Sequence, residues 1–287
     1  VLLIIIGLLS ISLGASGQAS ADTLKLAERV FETVDKYPEY RNANTIADII
    51  SKIEDSLAIK IVYNKKVEDT WSSVAYETCN DSIETVKYLT LLNNEYSKYP
   101  KDFFQRIGVK TIVLGRKLRF LSQNRAAIPD PYMNSLFLSI DGAYGDSSPI
   151  YLIHVMHHEL HHCTEYAIWK NMSYKWRKWQ KTNRFFFKYK GSGEIAYANE
   201  SIDWYSMTHQ KKGFLNLYST TAQEEDRSEL VTLIMSDFER KYIFQYYSRD
   251  KILRKKINII VNELNTLCKT EDNYWQLSIT NLVKQIE

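Results

Sequence analysis

The sequence predicts an α+β fold in which a small sheet is followed by a long histidine-bearing helix and a mainly helical C-terminal half. Three observations predict it. The β-branched or alternating stretches "LAIKIVYN", "KTIVLGRKLRF" and "NSLFLSID" all precede Gly142. From Ile150 almost to the end, apolar residues recur at helical spacing. No linker rich in Pro, Gly or Ser divides the chain, so residues 22 to 287 read as a single domain.

Taken in order, the first element is a targeting segment. "VLLIIIGLLSISLG" is too short to span a bilayer comfortably and leads into small residues ending in "ASA" at Ala19 to Ala21, the pattern of a secretory signal peptide over residues 1 to 21. A signal peptide should open with Met and a basic residue, whereas this sequence opens at Val1, so its first few residues are expected to be missing. The expected location is therefore secreted, extracellular or periplasmic. Residues 23 to 57 read as two helices broken near "KYPEYRNAN", with Leu26, Val30, Ile46, Ile49, Ile50 and Ile53 at helical spacing. "LAIKIVYN" then reads as a strand. A helix over 83 to 97 is stopped by Pro100 before "DFFQRIG" makes a further short turn. The strands "KTIVLGRKLRF" and "NSLFLSID" follow, separated by a Pro-containing loop, "AAIPDPY".

Composition narrows the partners. With 45% hydrophobic and 25% charged residues, the chain is neither disordered nor fibrous. The net charge of +3 arises from 37 basic and 34 acidic residues well mixed along the sequence, so neither a nucleic-acid nor an acidic-lipid surface is demanded. Lys-rich runs such as "KYKGSG" and "RDKILRKK" read as solvated faces and loops. A peptide or protein substrate is the expected partner, with no nucleic acid and no stable membrane insertion once the signal is removed. Cys79, Cys163 and Cys268 are expected to supply one disulfide and one further thiol, in any of three pairings.

Five of the six histidines lie between His154 and His162. The surrounding "YLIHVMHHELHHCTEYAIW" has no Pro or Gly, and Leu152, Ile153, Met156 and Leu160 give it a helical apolar pattern. At roughly 100° per residue, His158 and His162 fall on one face, one turn apart, where both imidazoles reach one ion. Glu159 completes His-Glu-x-x-His, in which two histidines bind Zn²⁺ and the glutamate is general base toward a water. The pair His157 and His161 has the same spacing but places His158 where the glutamate should stand. His154 and His161 are expected to flank the helix or to donate outer hydrogen bonds. A di-iron use of Glu159-Leu160-His161-His162 would need a second Glu-x-x-His copy on another helix, and the sequence has none.

A third ligand has to come from elsewhere, because the elongated metzincin pattern fails at Glu165 and Ile168. In "YSTTAQEEDRSELVTLIM", Glu225 and Glu229 lie four residues apart at the start of a predicted helix and share a face. One can bind a metal while the other fixes a histidine ring. The bland alternative is that Glu224, Glu225 and Asp226 favour the helix N-terminus by charge alone.

These residues together resemble a gluzincin metallopeptidase, in the branch that includes the anthrax lethal factor catalytic domain, the Pro-Pro endopeptidases and bacterial zinc-binding metallopeptidases. That branch pairs a His-Glu-x-x-His helix with a downstream Tyr, a Glu ligand seven residues later and a second Glu four beyond it. Tyr218, Glu225 and Glu229 match those places. The likeness covers roughly Lys98 to Met235, including "KYPKDFFQRIGVKTIVL", and adds little over the first 80 and last 50 residues. The chain departs from the pattern at His161, where Gly is frequent, and in Asp226-Arg227-Ser228 between the glutamates.

The resemblance implies a zincin-like metallopeptidase domain with one Zn²⁺ on His158, His162 and Glu225. It also implies Glu159 as the acid/base, Tyr218 as the donor to the oxyanion and Glu229 in the outer shell; His209, in the loop "MTHQKKG", is an alternative oxyanion donor. Substrate is expected to lie extended along a sheet edge, with "NSLFLSID" as the natural candidate. Two other readings compete: a non-catalytic metal-binding protein, and an inactive peptidase fold that serves as an interaction module.

Overall fold

A computed structural model describes residues 43–80, 82–143, 145, 148–198, 202–268 and 273–286. The predicted signal peptide and the first predicted helix lie outside these residues. The chain forms two compact units, one ending at Ile168 and the other beginning at Trp169.

In the first unit, α1 (Ala43–Leu57) buries Ile46, Ile53 and Leu57 along one stripe. The predicted strand after it is short, β1 (Lys60–Val62), and β2 (Val74–Thr78) follows. Helix α2 (Ile83–Tyr96) is capped by Ser82, whose hydroxyl accepts from Thr85 N–H at 3.4 Å. It is followed by α3 (Phe103–Ile107), which ends at Gly108 with φ 77°, a left-handed conformation that glycine adopts without strain.

The longest strand, β3 (Thr111–Phe120), organises the sheet. It runs parallel to β1 and to β6 (Ser135–Ser139), and antiparallel to β2 and the short β4 (Gln123–Asn124). Gly115 in β3 is required by close packing, since a Cβ there would stand 2.7 Å from the Tyr76 ring.

Two sequence expectations change here. "AAIPDPY" is not a plain loop: Ala127–Asp130 form β5, antiparallel to β6. Pro129 is tolerated because β5 is the last strand in the order β1-β3-β6-β5, where one main-chain side needs no sheet partner. As a result β6 is flanked by β3 and β5 and is not an edge, so "NSLFLSID" cannot accept an added strand. Its five residues are all buried, as both faces of an interior strand require.

Helix α4 (Pro149–Trp169) carries the histidines, as the uninterrupted pattern predicts. It buries His157, His158, His161 and His162 as well as Leu152, Ile153, Met156 and Leu160, so it is a core helix that carries polar groups.

The second unit is helical from Gln223 onwards but departs from the helical pattern expected between Lys170 and Ala222. Between Lys170 and Ala222 only α5 (Arg177–Gln180), α6 (Glu194–Ala198) and a 3-10 turn, Tyr218–Thr220, are regular among the described residues. Aromatic packing organises this stretch instead: Trp169 meets Tyr174 and Trp176 at centroid distances of 4.9 and 5.5 Å. Regular helices resume with α7 (Gln223–Met235), α8 (Arg240–Tyr247), α9 (Lys251–Leu267) and α10 (Tyr274–Ile286). Leu230, Leu233, Ile234, Ile257, Ile260 and Trp275 are buried among them.

The expected disulfide is not formed. Cys79, Cys163 and Cys268 are all buried thiols. Burial pushes Cys79 up to about 12, which keeps it protonated.

Candidate metal centre

Helix α4 sorts its histidines by face. His157 is fully buried, with Nδ1 2.9 Å from the Tyr99 hydroxyl and Nε2 2.8 Å from Glu95 Oε2. The same carboxylate oxygen accepts from Lys98 Nζ at 2.6 Å. Burial alone would raise the Glu95 pKa, but the hydrogen bond and charge of His157, helped by Lys98, hold it below the usual carboxylate range. Both ring nitrogens of His157 are thus committed to α2 and the segment after it, which removes His157 from a ligand pair with His161. The His161 ring lies along its own helix toward Glu165, with Nδ1 3.8 Å from Oε1 and both groups buried.

His158 and His162 behave differently. Their Nε2 atoms are 3.2 Å apart, across one helical turn. Two nitrogens each about 2.0–2.1 Å from one tetrahedral ion would stand about 3.3 Å apart, so the spacing suits a shared ion without rearrangement. His154 stacks on His158 with centroids 5.9 Å apart and planes 21° off parallel, which extends the imidazole stripe by one turn. Glu159, half-buried, lies on the neighbouring flank of the helix.

In the second unit, Tyr218 and Glu225 are brought together by a residue that sequence reasoning missed. A Cβ on Gly193 would stand 2.5 Å from Glu225 Oε1 and 2.7 Å from the Tyr218 hydroxyl. Both polar ends therefore converge on the bare glycine backbone, and any side chain at 193 would displace them. The 3-10 turn places Tyr218 over Tyr205, with ring centroids 4.9 Å apart, and Tyr218 N–H donates to Trp204 O at 2.8 Å. Ala222 caps α7 in extended conformation, so Glu225 falls in the first helical turn and stays half-buried. One turn on, Glu229 is buried and accepts from Asn216 Nδ2 at 2.5 Å through Oε2. Asn216 also accepts from Ser219 N–H at 2.9 Å, which ties Glu229 to the turn that carries Tyr218.

The residues between the glutamates point into the fold. Asp226 accepts from Lys256 Nζ at 2.7 Å, Trp179 Nε1 at 2.8 Å and the Tyr189 hydroxyl at 2.5 Å. Burial pushes Asp226 up and Lys256 down, and their mutual charge opposes both shifts. Arg227 is buried against Trp169, with its guanidinium carbon 4.9 Å from the ring centroid, and donates to Tyr174 O at 3.0 Å. The acidic run is therefore more than helix-terminal charge, and Asp226-Arg227-Ser228 serves packing.

His209 is engaged elsewhere. Its Nε2 lies 2.8 Å from Asp250 Oδ2 and its ring stacks on Tyr246 at 4.1 Å. Asp250 also caps α9, accepting from Ile252 and Leu253 N–H. This arrangement engages His209 Nε2 with Asp250 and its ring face with Tyr246.

Comparison of the chain with protein-family models, curated proteins and solved structures gives no match. Among the described residues no helix is long and apolar enough to cross a membrane.

Proposed function

We propose that the chain is a secreted zinc-dependent endopeptidase with a gluzincin-type ligand set. The single observation that carries this reading is the 3.2 Å separation of His158 and His162 Nε2 within His-Glu-x-x-His. His158, His162 and Glu225 would each give one ligand atom, two imidazole nitrogens and a carboxylate oxygen, a donor set that suits zinc. A zinc ion held by these residues would supply Lewis-acid polarisation of water and of the scissile carbonyl.

The protein side chains do the rest. Glu159 takes a proton from the attacking water and hands it to the leaving amine. The Tyr218 hydroxyl donates to the oxyanion that develops on the former carbonyl. Glu229, held by Asn216, orients a ligand ring from outside. Since β6 is interior, a substrate strand that pairs with this sheet would add at an end of the strand order, along β1 or β5.

The test is hydrolysis of a peptide library by the wild type and Glu159→Gln. Cleavage that disappears in Glu159→Gln while zinc is retained supports the reading. A non-catalytic metal-binding protein would bind metal equally in both and cleave nothing.

A further inference from the structure

Residues 174–190 hold seven basic residues and no acidic one, although the whole chain carries a net charge of only +3. At the centre of this segment Phe185 and Phe186 are 93% and 90% exposed. Their rings meet edge-on with centroids 4.9 Å apart. Two adjacent phenyl rings left in water form an apolar tip that folding alone does not explain.

The tip is built into the fold. Phe187 N–H donates to Arg184 O at 2.8 Å and closes a turn with Phe185 and Phe186 at its two corners. Below the turn, Gln180 Nε2 donates to Phe187 O at 2.9 Å and Asn183 Nδ2 donates to the Tyr189 hydroxyl at 3.0 Å. Phe187 turns inward and packs on Phe214 at 4.6 Å. Trp179, fully buried, anchors the base through its bond to Asp226. Two phenyl rings are thus held outward while the third locks the loop, and Lys181, Arg184 and Lys188 are exposed around them.

We infer that this turn docks the protein on an anionic lipid surface, with Phe185 and Phe186 in the headgroup boundary and the surrounding cations over the anionic headgroups. The tip is convex and needs no complementary pocket, whereas a protein partner would have to supply a cleft with an acidic rim. A bilayer accepts such a wedge anywhere on its surface, and a segment free of acidic residues suits a uniformly negative plane. The balanced charge of the whole chain conceals this local imbalance, which is why composition alone does not call for a lipid partner.

The test is sedimentation of the full chain with vesicles of phosphatidylcholine alone and of equal parts phosphatidylcholine and phosphatidylglycerol. Wild type, Phe185→Ser/Phe186→Ser and Arg184→Gln/Lys188→Gln are compared, so the N-terminal apolar run is common to all three. An unchanged thermal unfolding midpoint shows that the variants fold. Wild type should prefer the anionic vesicles, less so as salt rises, and the phenylalanine variant should lose at least about tenfold in partitioning. The charge variant should lose the anionic preference. Equal binding of wild type and the phenylalanine variant, or equal binding of wild type to both vesicle types, would overturn the inference. So would tighter binding to a single-stranded oligonucleotide that is lost in the phenylalanine variant, which would assign the turn to nucleic acid.

Discussion

His158 and His162 present their Nε2 atoms to each other at 3.2 Å, while one position away His157 is held at both ring nitrogens by Tyr99 and Glu95. Adjacent histidines on one helix thus divide into a pair that face each other and a single ring engaged in packing. The division follows from rotation: successive residues differ by about 100°, so a core-facing His157 places His158 on another face.

The division is testable at His157. His157→Ala leaves the Glu95 carboxylate and the Tyr99 hydroxyl without their buried partner, and should cost about 3 kcal/mol in urea unfolding. Its zinc content should match the wild type. His162→Ala should show the reverse, with zinc lost and the apo-protein little destabilised.

Tyr218→Phe removes one hydroxyl and little volume. If that hydroxyl serves the oxyanion, kcat should fall by about a hundredfold or more with KM and zinc content little changed. A Tyr218→Phe variant of full activity would remove Tyr218 from the chemistry.

Gly193→Ala places a methyl where Glu225 Oε1 and the Tyr218 hydroxyl now stand. Zinc affinity should fall by about tenfold or more because the carboxylate must move, at a stability cost of about 1–3 kcal/mol. Metal-buffered titration measures the first and denaturant unfolding the second.

Asp250 provides a pH test apart from the histidine helix. Burial would raise its pKa, but the His209 bond and the N–H groups of Gly213, Leu253 and Ile252 hold it below the usual carboxylate value. A depressed pKa means stability that is present above the unfolded value, about 3.9, and lost as pH falls through the folded one. Asp250→Asn should therefore flatten the acid limb of the stability profile and cost about 1 kcal/mol at neutral pH.

How much of this was legible in the sequence depends on the range of the interactions. The extent of α4 was readable, because an unbroken helical pattern without Pro or Gly is a local signal. The fate of His157 was not, since Glu95 lies 62 residues away on another helix. "NSLFLSID" read correctly as a strand, but its interior position depended on Pro129 lying in a strand, where proline is tolerated only at an edge. Residues after Lys170 read as helical from the spacing of their apolar residues, whereas Trp169, Tyr174 and Trp176 pack on one another. Gly193 gave no signal at all, since its role is the absence of a side chain beside two groups distant in sequence.

Metal analysis of the purified chain beside Glu225→Ala and Glu229→Ala separates a zinc centre from a histidine-rich helix. One zinc per wild-type chain is expected, lost sharply in Glu225→Ala and only weakened in Glu229→Ala. Zinc absent from the wild type, or unchanged in Glu225→Ala, would contradict it and leave α4 as a histidine-rich helix without the proposed centre.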